Sequence, residues 1–295
     1  MSLEGVAFRL VGMDTHDDLR PLLFSIAYRM LGSVAEAEDL VQETFIRYQQ
    51  AGAEAVAESP RSYLASITTR LAIDHLRSAR VRRETYPGQW LPEPIVEQTP
   101  ADQAETADSL SMAFLVLLEQ LSPVERAVFL LREVFGYEFD EVARVVGRSE
   151  ANCRQILVRA RAHVSEGRPR FESSPQKRDE LAQRFFAACR GGDQEALVGL
   201  LAADAAVYGD GGGKVHASPV PIVGRDRAAR ALISFTKQAM SMALSFAPAW
   251  VNGQPGAVFH DRDGRTVWVV SLDIVDGAVA AVRSVLNPDK LAHVP

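Results

Sequence analysis

This sequence has little cysteine, and it shows no long apolar runs and no recognisable signal segment. Only Cys153 and Cys189 occur among its 295 residues, one in each half, which excludes a disulfide framework and a cysteine metal site. The apolar runs are too short to span a bilayer, and the N-terminal MSLEGVAFRL has no basic segment followed by a long apolar core. We therefore expect a cytoplasmic protein. Phosphate-loop, nucleophile-elbow and clustered metal-ligand motifs are also absent, so we expect neither a metal or cofactor nor an enzyme.

Lysine is absent from residues 1–170, which contain 19 arginines and 25 acidic residues, for a local net charge of −6. The whole chain also carries −6, which argues against a protein that coats DNA without sequence preference, because such binding needs a broad basic surface. Two short stretches are nevertheless basic. Residues 70–83 hold five arginines against Asp74 alone, and residues 144–170 hold seven against Glu150 and Glu166. This distribution indicates two focused DNA contacts on an acidic body.

Residues 138–165 have the pattern of two short helices separated by a tight turn. Apolar side chains recur at helical spacing up to Val146, the pattern breaks at Gly147, and a second helix begins at Ser149. Its inner side is predicted to hold Cys153, Ile156, Leu157, Ala160 and Val164. Its outer side is predicted to hold Asn152, Gln155, Val158 and Arg159, flanked by Arg154 and Arg161. The candidate DNA contacts are Ser149, Asn152, Arg154, Gln155, Arg159 and Arg161. Long polar side chains can reach base edges while guanidinium groups meet phosphates, so this pattern predicts a DNA-binding helix-turn-helix.

The chain divides into three predicted folded units. Residues 14–84 and 109–166 are predicted to be helical, and residues 85–108, with four prolines and no periodicity, to be a linker. Within that linker Trp90-Leu91 is too hydrophobic for a free spacer, so we expect the pair to dock on a folded surface. From residue 177 onward, helices precede strand candidates at 244–251, 256–261, 265–274 and 278–286, which predicts an α+β unit with a curved antiparallel sheet.

The two helical units together resemble the bacterial extracytoplasmic-function (ECF) sigma factors, which carry only the second and fourth conserved sigma regions. The resemblance lies in residues 37–45 (AEDLVQETF), in residues 63–77 and in residues 121–163. It implies a helix that docks on the β′ clamp of core RNA polymerase, a helix that melts promoter DNA, and a helix-turn-helix that reads the minus-thirty-five element beside the β flap. The implied polymerase contacts are Asp39, Gln42, Glu43 and Ile46, and the further DNA contacts are Arg70, Arg77, Arg80, Arg82 and Arg83. Members of this group usually carry asparagine where this chain has Arg70, so their promoter preference does not transfer.

The C-terminal unit, residues 177–295, resembles the SnoaL-like branch of the NTF2-like fold, a cone-shaped α+β barrel around a pocket. Three strings are typical of an ECF subgroup with this extension: WLPEP at 90–94, DGGGK at 210–214 and NPDKL at 287–291. The resemblance implies two all-α sigma domains followed by a domain that adjusts sigma activity within the same chain, without a required anti-sigma protein. The implied regulatory interface comprises Trp90, Leu91, Pro92, Asp210, Gly211, Gly212, Gly213, Lys214, Asn287, Pro288, Asp289 and Lys290.

Two other functions stay open. A ligand-responsive transcription regulator would also join a helix-turn-helix to a barrel, although it would not explain the segments between residues 33 and 83. An NTF2-like isomerase or cyclase fused to a DNA-binding module is the less favoured alternative. Its candidate residues are Tyr208, Asp210, His216, His260 and Asp273, with Trp250 and Trp268 as pocket walls. Asp273 fits a solvent-facing position equally well, and His260 is predicted to lie at the surface. A pocket in the barrel that binds a small apolar signal molecule is favoured over catalysis.

Overall fold

The computed structural model describes residues 18–51, 59–97, 107–165 and 174–295. The helices are α1 (Arg20–Leu31), α2 (Val34–Ala51), α3 (Pro60–Glu84), α4 (Ala107–Leu110), α5 (Met112–Leu118), α6 (Pro123–Phe129), α7 (Phe139–Val146), α8 (Glu150–Ser165), α9 (Pro175–Gly191), α10 (Gln194–Leu200) and α11 (Arg225–Ser241). The strands are β1 (Val96–Glu97), β2 (Leu201–Asp210), β3 (Ile222–Val223), β4 (Ser245–Val251), β5 (Gln254–His260), β6 (Thr266–Val275) and β7 (Ala278–Val285). A π-helical turn, Leu130–Val134, follows α6, and a 3-10 turn, Pro288–Lys290, lies near the C-terminus.

The chain forms two compact units. The first, here called the helical unit, comprises Met1–Val81 and Gln120–Ser165, and the second, the sheet unit, comprises Arg82–Glu119 and Glu166–Pro295. Within the described ranges, no helix has both the length and the apolar character that a bilayer crossing requires.

The helical unit begins with an antiparallel pair of helices, α1 and α2, that turn at Gly32. Gly32 has a left-handed φ of 69°, and the Ser33 hydroxyl accepts a hydrogen bond from the Glu36 amide at 3.2 Å, which caps α2. Leu23, Ile26 and Leu40 are buried where the two helices pack. Burial of these apolar side chains at helical spacing is what stabilises the pair.

Both predicted helical segments contribute to this one unit. The buried Arg126 guanidinium of α6 donates to the Met30 carbonyl of α1 at 2.6 Å, and burial lowers the pKa of Arg126. Ser62 of α3 donates to the Glu141 carboxylate of α7 at 3.0 Å. The sequence pattern predicted two separate helical units, and these long-range hydrogen bonds show that α1–α3 and α6–α8 share one packed body.

The sheet unit contains a seven-stranded sheet in the order β1-β4-β5-β6-β7-β2-β3. The four predicted C-terminal strands are present as β4 to β7, and the Asp-Gly turn at 276–277 joins the last two with left-handed φ angles of 49° and 74°. These four strands pair antiparallel, as predicted, and the sheet also includes β2, which runs parallel to β7. The long connection between β2 and β7, through β3, α11 and β4 to β6, allows that parallel pairing.

Side chains alternate between two faces of this sheet. Val270 and Leu272 face α9, α10 and α11 and belong to the larger apolar core with Phe185. Val269 lies on the opposite face, in a smaller cluster with Leu91 and Met112. The predicted α+β architecture is therefore confirmed, with helices on one face and linker segments on the other.

The segment predicted to be a linker is largely built into the sheet unit. Val96 and Glu97 pair with β4 as an antiparallel edge strand, and Leu91 is 1% exposed. The Asn252 side chain holds the flanking chain, because its oxygen accepts from the Ile95 amide at 3.0 Å and its amide donates to the Leu110 carbonyl at 3.0 Å. Residues 109–118, expected with the helix-turn-helix, therefore pack on the sheet instead. The predicted docking of Trp90-Leu91 is confirmed for Leu91 by its burial.

Candidate functional site

The expected helix-turn-helix is present in the helical unit. Helix α7 ends at Val146 and is followed by Gly147, whose φ of 65° is left-handed and therefore suits glycine, and α8 begins at Glu150. The Ser149 hydroxyl accepts a hydrogen bond from the backbone N–H of Asn152 at 3.3 Å and thereby caps α8. The predicted inner residues of α8 are all buried: Cys153, Ile156, Leu157, Ala160 and Val164. Their packing on α6 and α7 holds the outer face of α8 toward solvent.

The predicted DNA contacts on α8 are exposed, and its arginines pair with nearby acids. Arg154 bonds Glu150 at 2.8 Å, Arg161 bonds Glu133 at 2.7 Å, and Arg159 lies 3.7 Å from Glu125. Partial burial opposes ionisation of Glu125, but hydrogen bonds from Ser122 together with Arg159 hold its pKa below the usual value. The arginine side chains of these pairs are more than half exposed, and ion pairs at the surface are weak, so phosphate oxygens can replace the carboxylates at small cost.

Two arginines of α3, Arg77 and Arg70, make different contacts, one within the helix and one with another helix. Arg77 is exposed and bonds Asp74 on the same helix at 3.0 Å. Arg70 reaches the helix-turn-helix, where its Nε donates to the Val145 carbonyl at 3.0 Å and its terminal nitrogen to the Arg144 carbonyl at 2.7 Å. A cation at the C-terminal carbonyls of α7 is favoured by the helix dipole. In this conformation Arg70 is therefore an intramolecular contact. The side chains of the other predicted contacts, Arg80, Arg82 and Arg83, lie outside the described residues.

The predicted polymerase-binding face of α2 is on the surface of the helical unit. Asp39, Gln42 and Ile46 are exposed, Ile46 by 48%, while the partly exposed Glu43 bonds Arg47 at 2.7 Å. An exposed isoleucine bordered by carboxylate and amide groups offers an apolar contact and directional hydrogen bonds together. Such a mixed face is suited to a partner protein surface.

The predicted regulatory residues of the sheet unit meet around one buried carboxylate. Asp210 ends β2 and is 0% exposed, and its Oδ1 accepts from the Tyr86 hydroxyl at 2.6 Å and from the Gly212 amide at 3.0 Å. Its Oδ2 accepts from the Leu91 amide at 2.8 Å and from the Lys290 ammonium at 2.7 Å. These contacts join the linker, the glycine loop and the C-terminal segment in what we call the Asp210 cluster, formed by Tyr86, Leu91, Asp210, Asn287 and Lys290.

Lys290 closes the Asp210 cluster from the C-terminal side. It is 7% exposed, donates to the Leu91 carbonyl as well as to Asp210, and lies 4.8 Å from the Tyr86 ring centre and 4.6 Å from that of Trp90. Burial and the neighbouring Asp210 carboxylate raise the pKa of Tyr86, so its hydroxyl stays protonated as a donor. Tyr86 was not predicted as a site residue, and its only sequence signal is an aromatic side chain in a polar linker.

The glycine loop and the NPDKL segment are shaped to fit each other. Gly212 and Gly213 have left-handed φ angles of 60° and 71°. A side chain at Gly212 would overlap the Asn287 amide, and a Cβ at Gly213 would lie 2.8 Å from the Pro87 ring. Asn287 in turn donates to the Tyr86 hydroxyl at 2.9 Å. Glycine is required here for both conformation and space.

The outer part of the same predicted interface is solvent-exposed. Lys214 bonds both carboxylate oxygens of Asp289 at 2.6 and 2.7 Å, and both side chains are more than half exposed. Gly211 and Pro92 are buried, and Pro288 begins the 3-10 turn. The structure thus brings together residues of all three strings for which the family resemblance implies one interface.

The candidate acid and base residues occupy several environments. Asp273, which fitted a solvent-facing position equally well, is buried and bonds Arg283 at 2.8 Å, and Arg283 lies over the Tyr208 ring. Burial raises the pKa of Asp273, with the Arg283 charge opposing. Asp273 lies on the sheet face opposite the helices, where its ion pair joins β6 to β7.

The two candidate histidines lie at the surface of the sheet unit. His216 is exposed and lines a cavity of about 320 Å³ beside the glycine loop. The imidazole Nε2 of His260 lies 3.3 Å from the Pro295 carbonyl.

The candidate tryptophans pack against neighbouring side chains, with Trp250 buried and Trp268 partly buried. Trp268 stacks on Phe259 at 4.5 Å, and the Arg178 guanidinium lies over the Trp250 ring. Among the residues that the structure describes, no three or more His, Cys, Asp or Glu side chains are grouped to hold a metal ion.

Comparison with known proteins supplies the family context for these surfaces. The family models for sigma-70 region 2 and sigma-70 region 4 match residues 16–82 and 111–164. The ECF RNA polymerase sigma factor SigJ of Mycobacterium tuberculosis is 35% identical and aligns over 94% of this chain and 92% of its own length. A probable ECF sigma factor, SigI of the same species, is 30% identical over 92% of each chain. The crystal structure of M. tuberculosis SigJ superposes with a TM-score of 0.77 at 32% identity, covering 96% of this chain and 99% of that one.

Proposed function

Since this chain belongs to the ECF family of RNA polymerase sigma factors, we propose that its C-terminal NTF2-like domain controls initiation in cis through the Asp210 cluster. The observation that supports this proposal is the four-donor carboxylate of Asp210, which binds the linker to the C-terminal domain. The linker joins the region 2 and region 4 segments in sequence. Fastening it to a folded domain therefore limits how far those two segments can separate.

The surfaces of the helical unit take complementary roles in this proposal. The α2 face with Asp39, Gln42, Glu43 and Ile46 binds the β′ clamp of core RNA polymerase. Helix α8 reads the upstream promoter element beside the β flap, and the arginines of α3 act at the DNA that opens. A basic face on α8 and a mixed polar and apolar face on α2 support this division.

Regulation in cis removes the need for a separate anti-sigma protein, and it requires no catalytic step. The chain therefore acts as a cytoplasmic initiation factor whose partners are core polymerase and promoter DNA. The buried ion pairs of Asp210 and Asp273 support a structural role for those carboxylates.

Run-off transcription with core polymerase tests the proposal on the full chain. The template is a promoter selected from random DNA by the wild-type holoenzyme. Lys290→Ala removes the ammonium group that bonds Asp210 and Leu91, so we expect initiation to change at least threefold in either direction. Lys237→Ala, the same substitution at an exposed position of α11, serves as the control.

Limited proteolysis of the 82–97 segment shows whether Lys290→Ala has released the linker. A released linker with unchanged initiation would refute control through the Asp210 cluster while leaving the sigma function intact. Absence of initiation and of core binding by the wild-type chain would refute the assignment of the surfaces themselves.

A further inference from the structure

The centre of the outer face of α8 is apolar, although the face as a whole is basic. Val158 is 65% exposed, more than Ile46 on the proposed polymerase-binding face at 48%. Ala151 lies seven residues before Val158 and Ala162 four residues after it, so all three share one stripe of the helix, and all are exposed. Val158 is therefore an exposed branched aliphatic side chain on a stripe whose other two members are small.

Polar and cationic side chains border this stripe on both sides. With 100° between successive residues, Arg154 and Arg161 project on one side of Val158, and Gln155 and Arg159 on the other. All four are exposed, the three arginines form ion pairs with Glu150, Glu125 and Glu133, and Arg154 also lies over the Phe139 ring. Cations at the two edges of the stripe can bind two parallel rows of phosphates. The short side chains at its centre let the helix come close to the surface between those rows.

The partner that fits both features is the major groove of DNA. Its walls carry phosphates, and its floor carries one exposed apolar group, the C5-methyl of thymine. Val158 has no hydrogen-bonding atom, so it distinguishes bases by apolar contact alone. A thymine methyl is the group on the groove floor that such a side chain can recognise.

We propose that Val158 packs against the C5-methyl of a thymine in the upstream promoter element and makes the holoenzyme select thymine at that position. The inference rests on the proposed DNA-reading role of α8 and adds a base preference to it. Burying one methyl-sized apolar group corresponds to roughly a fourfold change in binding at room temperature.

Thymine-to-deoxyuridine replacement isolates this contact, because it removes the methyl group and keeps every hydrogen-bonding atom of the base. The upstream element is first selected from random DNA by the wild-type holoenzyme, and each thymine is then replaced singly. We expect wild-type initiation to fall about fourfold at one position. The Val158→Ala holoenzyme should lose that discrimination and treat thymine and deoxyuridine alike there.

Gln155→Ala is the matched control on the same face. It removes a hydrogen-bonding side chain and keeps Val158, so promoter affinity should fall while the preference for thymine over deoxyuridine stays. Circular dichroism checks that Val158→Ala keeps its helix content, which is expected for an exposed position.

Each outcome decides the inference. A selected element without thymine, or wild-type initiation that no deoxyuridine changes, would overturn the Val158 contact while the sigma function stands. Equal discrimination by wild-type and Val158→Ala would assign the methyl contact to another residue. Failure of the wild-type holoenzyme to initiate at all would overturn the DNA-reading role together with the contact.

Discussion

Replacing Asp210 with alanine should destabilise the sheet unit far more than removing an exposed acid from the same interface. The carboxylate is fully buried and its ion-pair partner Lys290 is 7% exposed, so Asp210→Ala leaves an ammonium group buried without its counter-charge. Breaking a buried pair in this way costs about 3–5 kcal/mol. The Asp289 carboxylate also bonds a lysine, Lys214, but that pair is exposed, and Asp289→Ala should cost about 0–1 kcal/mol.

Urea unfolding followed by tryptophan fluorescence measures this difference in the intact chain. The three tryptophans of the sequence, Trp90, Trp250 and Trp268, all lie in the sheet unit, so their emission reports that unit. With an m-value of about 2 kcal/mol/M, a loss of about 4 kcal/mol moves the midpoint by roughly 2 M. Asp289→Ala should move it by less than about 0.5 M.

A second variant separates the charge effect from the hydrogen bonds. Combining Asp210→Ala with Lys290→Met removes the stranded ammonium, so part of the lost stability should return. The return is incomplete because the Tyr86 hydroxyl and the Leu91 amide still lose their acceptor. Equal midpoints for Asp210→Ala and Asp289→Ala would refute the view that a buried ion pair holds the linker to the domain.

Two further predictions concern single contacts. Arg70→Ala removes the hydrogen bonds onto the Val145 end of α7, so amide exchange in α7 should accelerate about fivefold, while Arg77→Ala, which loses only an exposed pair, should not. Unchanged exchange in Arg70→Ala would contradict the contact. Burial raises the pKa of Asp273 above the ordinary value of 3.8, so the folded state holds its proton more tightly than the unfolded state. The stability of wild type relative to Asp273→Asn should therefore be greatest at low pH and fall as pH rises above that ordinary value, and an opposite slope in urea unfolding would contradict this assignment.

Local patterns in the sequence determined the elements that carry function. The break at Gly147, the cap at Ser149 and the apolar spacing through Val164 predicted both helices of the helix-turn-helix, because each signal depends on neighbours within one or two turns. The Asp276-Gly277 turn marked the hairpin between β6 and β7 for the same reason.

Contacts between distant residues were decided only by the tertiary structure. Asp210 bonds Lys290 across 80 positions and Tyr86 across 124, and Arg70 bonds the Val145 carbonyl across 75. The family resemblance predicted which strings share an interface, but not that a buried carboxylate joins them. Burial of Asp273 likewise depends on Arg283 from the neighbouring strand. The periodicity of the sequence shows which side of a helix or strand is apolar. Which other element packs against that side depends on the tertiary structure of the whole chain.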